Sequence, residues 1–129
     1  MTESIAVRES RHVVDVRQAV RRQATEIGFS LVDQTKLVTA ASELARNMVD
    51  YGGGGTVLLE PIDAPRRGLR VVFEDQGPGI PDVALALQAG YTTGGGLGLG
   101  LGGAKKLVND FEIRSETGKG TRIAITRWK

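Results

Sequence analysis

LRVVFEDQGPGIPD, residues 69–82, is the stretch from which the rest of the chain is read. Leu69 to Phe73 is an apolar run rich in Val and Phe, and it predicts a strand. Asp75 stands at the strand's end, Gly77 and Gly79 follow, and Pro81 suits the first turn of a short helix reaching Ala89. Glycines at 77 and 79 permit backbone angles and close approaches that a side chain forbids. Two readings of this passage stand side by side. It is an ordinary turn opened by Asp75, or it is a nucleobase slot. In the slot, the carboxylate accepts a hydrogen bond from an exocyclic amine such as the 6-amino group of adenine, and the flat ring lies against glycine backbone.

Working outward, Gly68–Glu74 has a companion in Thr56–Ile62, and the Asp63-Ala-Pro-Arg-Arg67 stretch between them reads as a hairpin connection. Residues 4–8 alternate like a short strand. Arg11–Ile27 then repeats apolar positions at Val13, Val16, Ala19, Val20, Ala24 and Ile27 with helical spacing, and Gly28 is its stop. Ser30 with Asp33 resembles a capping-box start. Leu37, Ala40, Ala41, Leu44 and Met48 give the second helix a packed stripe through Asp50, and Gly52–Gly55 ends it. On the other side, Leu101–Val108 predicts a helix. Phe111–Ser115 and Thr121–Trp128 form a terminal hairpin across Glu116–Gly120. This order predicts an α+β two-layer sandwich in one domain, 1–129, with a mixed, mostly antiparallel sheet covered on one face by helices.

A chain of 129 residues with 40% hydrophobic and 25% charged residues fits one core. With no cysteine and only His12 as a nitrogen ligand, thiol redox, zinc and iron–sulfur chemistry are excluded. His12 itself reads as a surface or edge histidine. A net charge of +2 from scattered bases does not make a nucleic-acid stripe, and Arg66, Arg67 and Arg70 read as solvating a hairpin. No apolar run reaches the roughly 18 to 20 residues of a membrane span. The opening MTESIAVRES has neither signal-peptide nor transit-peptide character. The expectation is a cytoplasmic protein with no nucleic-acid and no membrane partner.

Two more motifs bear on chemistry. Glu43 and Asn47 lie four apart on the second helix, so carboxylate and carboxamide share one face. Such a pair is commonly a solvated edge; it also suits a base for a hydroxyl and a hard oxygen ligand for Mg²⁺. Gly94–Gly103 can fold over a polyphosphate and lead it to the next helix, or it can be a flexible linker. Leu97, Leu99 and Leu101 are apolar anchors that count against the linker, and the run matches neither the Rossmann fingerprint nor the Walker loop. Thr92 and Thr93, just ahead of it, are phosphate-contact candidates. Arg46 and Asp50 lie one helical step from the Glu43–Asn47 pair, and Lys105 and Lys106 read as solvating a helix face.

The order of these motifs, Glu43 and Asn47, then Asp75, Gly77 and Gly79, then Gly96, Gly98 and Gly100, then Gly120-Thr121, resembles the sequence boxes of the GHKL ATP-binding superfamily, which has the Bergerat fold. The wording of Ser42–Asn47, Glu74–Asp82 and Gly94–Leu101 is similar to the anti-sigma-factor kinases, and among them to the compact stressosome switch kinases. That likeness extends to Val32–Thr35 and to Lys119–Trp128. It implies ATP and Mg²⁺ as cofactors. Asp75 would meet the adenine amine, with Thr121 sharing its hydrogen bonds and Gly77, Gly79 and Ile80 shaping the ring slot. Asn47 would hold Mg²⁺. Thr92, Thr93, Gly96, Leu97, Gly98, Leu99, Gly100 and Leu101 would close over the phosphates, and Glu43 would be the catalytic base. The implied activity is serine/threonine phosphorylation of STAS-domain antagonist and scaffold proteins, in a partner-switching pathway that activates a PP2C-type phosphatase. An ATP-binding anti-sigma sequestering module and a detached histidine-kinase catalytic module are the alternatives.

Overall fold

The computed structural model describes residues 2–79 and 100–129. Along the chain these form β1 (Glu3–Val7), α1 (Ser10–Ile27), α2 (Leu31–Asp50), β2 (Gly55–Ile62), β3 (Gly68–Asp75), α3 (Gly100–Lys106), β4 (Asp110–Glu116) and β5 (Gly120–Trp128). The short helix expected over Pro81–Ala89 lies outside the described residues. No helix among them is long and apolar enough to cross a membrane.

The strands form one sheet in the order β1-β2-β3-β5-β4. The mostly antiparallel sheet expected from the sequence goes further than expected, in that every pairing among the described strands is antiparallel and none is parallel. A helical crossover into the next strand favours a parallel neighbour. Here the strand entered from α3 goes to the sheet's edge, and its hairpin partner β5 is the one that lies beside β3, so the crossover creates no parallel pair.

Helix α1 buries Val13, Val16, Ala19, Val20, Ala24 and Ile27, the three-and-four spacing read from the sequence. His12 is more than an edge residue. Its Nδ1 accepts the backbone N–H groups of Arg8 and Glu9 at 3.0 and 3.2 Å, so the imidazole caps the first turn of α1. At the other end the Gly28 N–H is donated to the carbonyls of Ala24 and Thr25. Helix α2 starts on Ser30, whose Oγ accepts the Asp33 N–H at 3.1 Å, and it buries Leu37, Ala40, Ala41, Leu44 and Met48.

Successive strand residues face opposite sides of the sheet. Val57, Leu59, Leu69, Val71, Phe73, Ile123 and Ile125 turn toward the helices and merge with their apolar stripes in one core. The reverse face carries charged pairs, Arg70 with Glu60 and Arg122 with Glu74. Arg66 of the hairpin expected only to be solvated donates to the Lys129 carbonyl at 2.8 Å, closing β2–β3 onto the end of β5.

One polar junction locks the far end of α2. Arg127, its side chain 14% exposed, donates from Nη2 to Asp33 Oδ1 at 2.7 Å and from Nη1 to the Leu107 carbonyl at 2.9 Å. It thereby ties β5, the first turn of α2 and the end of α3 together. The hydrogen bond from Arg127, with the nearby Ser30 hydroxyl helping, holds the Asp33 carboxyl below its ordinary value.

Leu59 is fully buried. Leu59→Ala is expected to lower unfolding free energy by about 2 to 5 kcal/mol, read from urea denaturation. Because the Asp33 carboxyl is depressed in the folded state, its contribution is present above the unfolded value, about pH 4, and is lost as pH falls through the folded one. Asp33→Asn should therefore be less stable than the parent at neutral pH. The gap between the two denaturation curves should close on acidification below about pH 4.

Candidate functional site

The site is built where the last turn of α2 meets the end of β3. Asn47 sits one turn before the end of α2, and its carbonyl accepts the N–H groups of Tyr51 and Gly52. Glu43 lies one turn earlier, and both side chains are half-buried. The chain then turns through Gly52–Gly55 into β2, which pairs with β3 so that Gly55 faces Asp75. The helix carrying Glu43 and Asn47 is thus brought beside Asp75 by a connection of four glycines.

The fit there is tight at the backbone. A Cβ on Gly77 would lie 2.6 Å from the Gly52 carbonyl oxygen and 2.7 Å from its Cα, so the two peptide segments touch with no room for a side chain. Asp75 Oδ2 fills the space beside Gly52, 2.5 Å from where a Cβ of that residue would stand. Asp75 Oδ1 accepts the Gly77 N–H at 2.9 Å. Gly79 has a φ of +79°, and a Cβ there would lie 2.1 Å from the Glu116 carbonyl oxygen. The loop after β3 is therefore pressed against the β4–β5 turn, and Gly118 N–H donates to the Pro78 carbonyl at 2.7 Å.

Thr121 is the cross-strand partner of Asp75. Its hydroxyl is 2.8 Å from Ser115 Oγ. Burial pushes the Asp75 carboxyl above its ordinary value, partly offset by the N–H groups of Gly77 and Thr121. A half-desolvated carboxylate has a strong appetite for a donor, and a hollow of about 580 Å³ beside it offers a place for one. Tyr51, Gly52 to Gly55, Asp75, Gln76 and Gly77 line that hollow, and Glu43 and Asn47 do not.

The structure brings Asp75, Gly77, Gly79 and Thr121 into one neighbourhood and places Glu43 and Asn47 on the adjoining helix. Gly100 opens α3. The Leu101 side chain is 7% exposed and packs in the core, so that any part it takes in a site falls to its backbone. Ile80, Thr92, Thr93, Gly96, Leu97, Gly98 and Leu99 lie outside the described residues. Arg46 and Asp50 are exposed on α2. Among the described residues no cluster of three or more His, Cys, Asp or Glu side chains is placed to hold a metal. A single amide oxygen such as that of Asn47 suits Mg²⁺, which keeps water and phosphate as most of its ligands.

Sequence reasoning missed two parts of this site. Gly52–Gly55 was legible only as a helix stop, although a run of four glycines between a helix and a strand also suits a wall that backbone alone must form. Ser115 became a partner of Thr121 only through the hairpin register, in which the two are directly opposed.

Removing the Asp75 charge should relieve a cost. Its raised value means that the desolvated carboxylate disfavours the folded state above that value and ceases to do so as pH falls below about 4. Without ligand, Asp75→Asn is expected to melt at or above the parent temperature at pH 7. The difference should shrink as pH approaches 4 in a calorimetric series.

The chain as a whole is similar to known proteins. Residues 32–129 match the family described as histidine kinase-, DNA gyrase B- and HSP90-like ATPase. The chain is 45% identical to the serine/threonine-protein kinase RsbT of Bacillus subtilis over 117 residues, covering 90% of this chain and 88% of that one. It is 28% identical to the anti-sigma F factor of Clostridium kluyveri over 116 residues, covering 86% and 82%. Among solved structures, the RsbU and RsbW domains of Rv1364c from Mycobacterium tuberculosis superpose with a TM-score of 0.68 at 23% identity, over 99% of this chain and 32% of that one.

Proposed function

Because the chain belongs to the histidine kinase-, DNA gyrase B- and HSP90-like ATPase family and is a serine/threonine-protein kinase within it, we propose that it phosphorylates STAS-domain antagonist and scaffold proteins in a partner-switching pathway. Released from those proteins, it would bind and activate a PP2C-type phosphatase. The observation that supports this reading most directly is the meeting of the α2 end with the β3 end. That contact sets a half-buried acceptor, Asp75, beside a hollow and a carboxylate, Glu43, on the adjoining helix.

In the proposed reaction the adenine amine donates to Asp75, and the Gly77 and Thr121 N–H groups keep the carboxylate aimed at it. Gly77 and Gly79 leave the ring slot free of side chains. Thr92, Thr93 and the glycine run ending at Leu101 would contact the phosphates. Held by the Asn47 amide oxygen, Mg²⁺ would offset the charge on the phosphate oxygens. Glu43 accepts the proton of the incoming serine or threonine hydroxyl. As that oxygen bonds to the γ-phosphorus, the bond from γ-phosphorus to the bridging oxygen breaks and ADP departs.

A sequestering role without phosphoryl transfer is favoured by the likeness to the anti-sigma F factor, but Glu43 counts against it, since sequestration needs no base. Nucleotide titration and phosphoryl transfer separate the two. Asp75→Asn should abolish nucleotide binding. Glu43→Ala should keep it while slowing transfer by about 10² to 10⁴. Incubation with radiolabelled ATP·Mg²⁺ and the STAS-domain proteins encoded nearby, followed by phosphosite mapping, should yield an acid-stable phosphoserine or phosphothreonine. An acid-labile product would assign the chain to histidine phosphorylation, and nucleotide binding without any transfer would assign it to sequestration.

A further inference from the structure

Helix α2 has a second end, remote from the hollow, and its surface there is unusual. Leu31 and Val32 are 73% and 62% exposed, the highest values among the large apolar side chains described as exposed, and they are adjacent in the first turn. Neighbouring residues leave them largely uncovered, and the polar contacts at this end of the helix do not involve their side chains. Ser30 caps the helix and Arg127 binds Asp33. Nothing in the fold requires apolar side chains at 31 and 32, since Ala or a polar residue would sit equally well in an exposed first turn.

Their setting is cationic. Lys36 is exposed one turn farther along α2. Lys129 Nζ lies over Gly28, 3.0 Å from where a Cβ would stand, just before the α2 cap. Lys105 and Lys106 occupy the last turn of α3, whose following carbonyl, that of Leu107, is bound by the same Arg127 that holds Asp33. None of these four ammonium groups forms a salt bridge among the described residues; Asp33 is bound by Arg127 and feels the charge of Lys36 without a direct ion pair. An apolar pair on a helix end that also carries Lys36, with Lys129 near its cap, complements an acidic surface with an apolar side chain at its centre.

Position supplies the remaining argument. Val32, Lys36, Thr39 and Glu43 recur at four- and three-residue steps, so they form one stripe along α2. Glu43 is about 16 Å, three turns, from Val32. A folded protein that presents a hydroxyl to Glu43 is large enough to extend over this stripe as far as Val32, whereas ATP, held at the Glu43 end, is not.

We propose that Leu31, Val32 and Lys36 are the docking surface for the protein substrate of the kinase, an acidic partner that seats an apolar side chain on Val32 while its serine or threonine lies at Glu43. This rests on the proposed kinase reading. The contact is small, in keeping with a substrate that must leave after each turnover.

The test uses the full chain, ATP·Mg²⁺ and the STAS-domain protein that the parent phosphorylates, with Val32→Asp and Lys36→Glu as variants. Both sites are exposed, so nucleotide affinity and melting temperature should match the parent. Val32→Asp should raise KM for the protein substrate by about tenfold or more with kcat nearly unchanged. Lys36→Glu should raise it severalfold and flatten the rise of KM with ionic strength that the parent shows. Parent-like KM values in both variants, or a loss of nucleotide affinity in step with KM, would overturn the docking surface and leave the kinase reading intact. If the parent transfers no phosphate to the STAS protein, the kinase reading fails first and the docking surface with it.

Discussion

Two peptide backbones in contact, Gly52 against Gly77, set the geometry on which the rest depends. Side chains normally keep a helix end and a strand end several ångströms apart, and here both residues at the crossing lack one. The carboxylate of Asp75 occupies the space beside Gly52 that a Cβ would need. The last turn of α2 and the end of β3 are therefore fixed relative to each other by excluded volume, without a flexible side chain in between. Excluded volume is a short-range and steep constraint, so it positions more sharply than a surface ion pair of comparable net strength.

At its other end α2 is held by a different kind of contact. Arg127 reaches from β5 to Asp33 in the first helical turn and to the Leu107 carbonyl after α3. Between these anchors the helix lays Leu37, Ala40, Ala41, Leu44 and Met48 on the sheet. A helix of 20 residues is about 30 Å long and pinned at both ends, so the spacing along its outer stripe is set. Groups as far apart as Val32 and Glu43 then act as parts of one rigid surface, although no side chain connects them.

Much of this was legible in the sequence because it obeys local rules. The apolar periods of α1 and α2, the cap at Ser30, and the hairpins β2–β3 and β4–β5 follow from side-chain spacing and turn residues. What escaped was set by pairing across the chain. His12 looked idle because an imidazole that accepts backbone N–H groups at a helix start has no strong sequence signature. Ser115 gained its role only when the hairpin register put it opposite Thr121. The sheet's wholly antiparallel character among the described strands turned on which strand of the last hairpin lies beside β3, a choice that residue types do not encode. The motif residues Asp75, Gly77, Gly79 and Thr121 were legible as types in order, but the burial of the carboxylate is a property of the assembled neighbourhood.

That burial bears on selectivity. A carboxylate can only accept, and the two backbone N–H groups already directed at Asp75 leave it acceptor capacity facing the hollow. Adenine presents an amine donor at its sixth carbon, and guanine presents a carbonyl acceptor at the same place. With guanine in the slot, two acceptors would face each other in a partly desolvated position, leaving the guanine carbonyl and the free acceptor sites of Asp75 unmatched. A site built to bind a donor rejects a ligand lacking it far more strongly than a hydrophobic pocket rejects a change of shape. In the proposed placement of adenine on Asp75, the same desolvation that raises the carboxyl and weighs against the empty fold would sharpen the preference for adenine, and stability cost and selectivity would then share one cause.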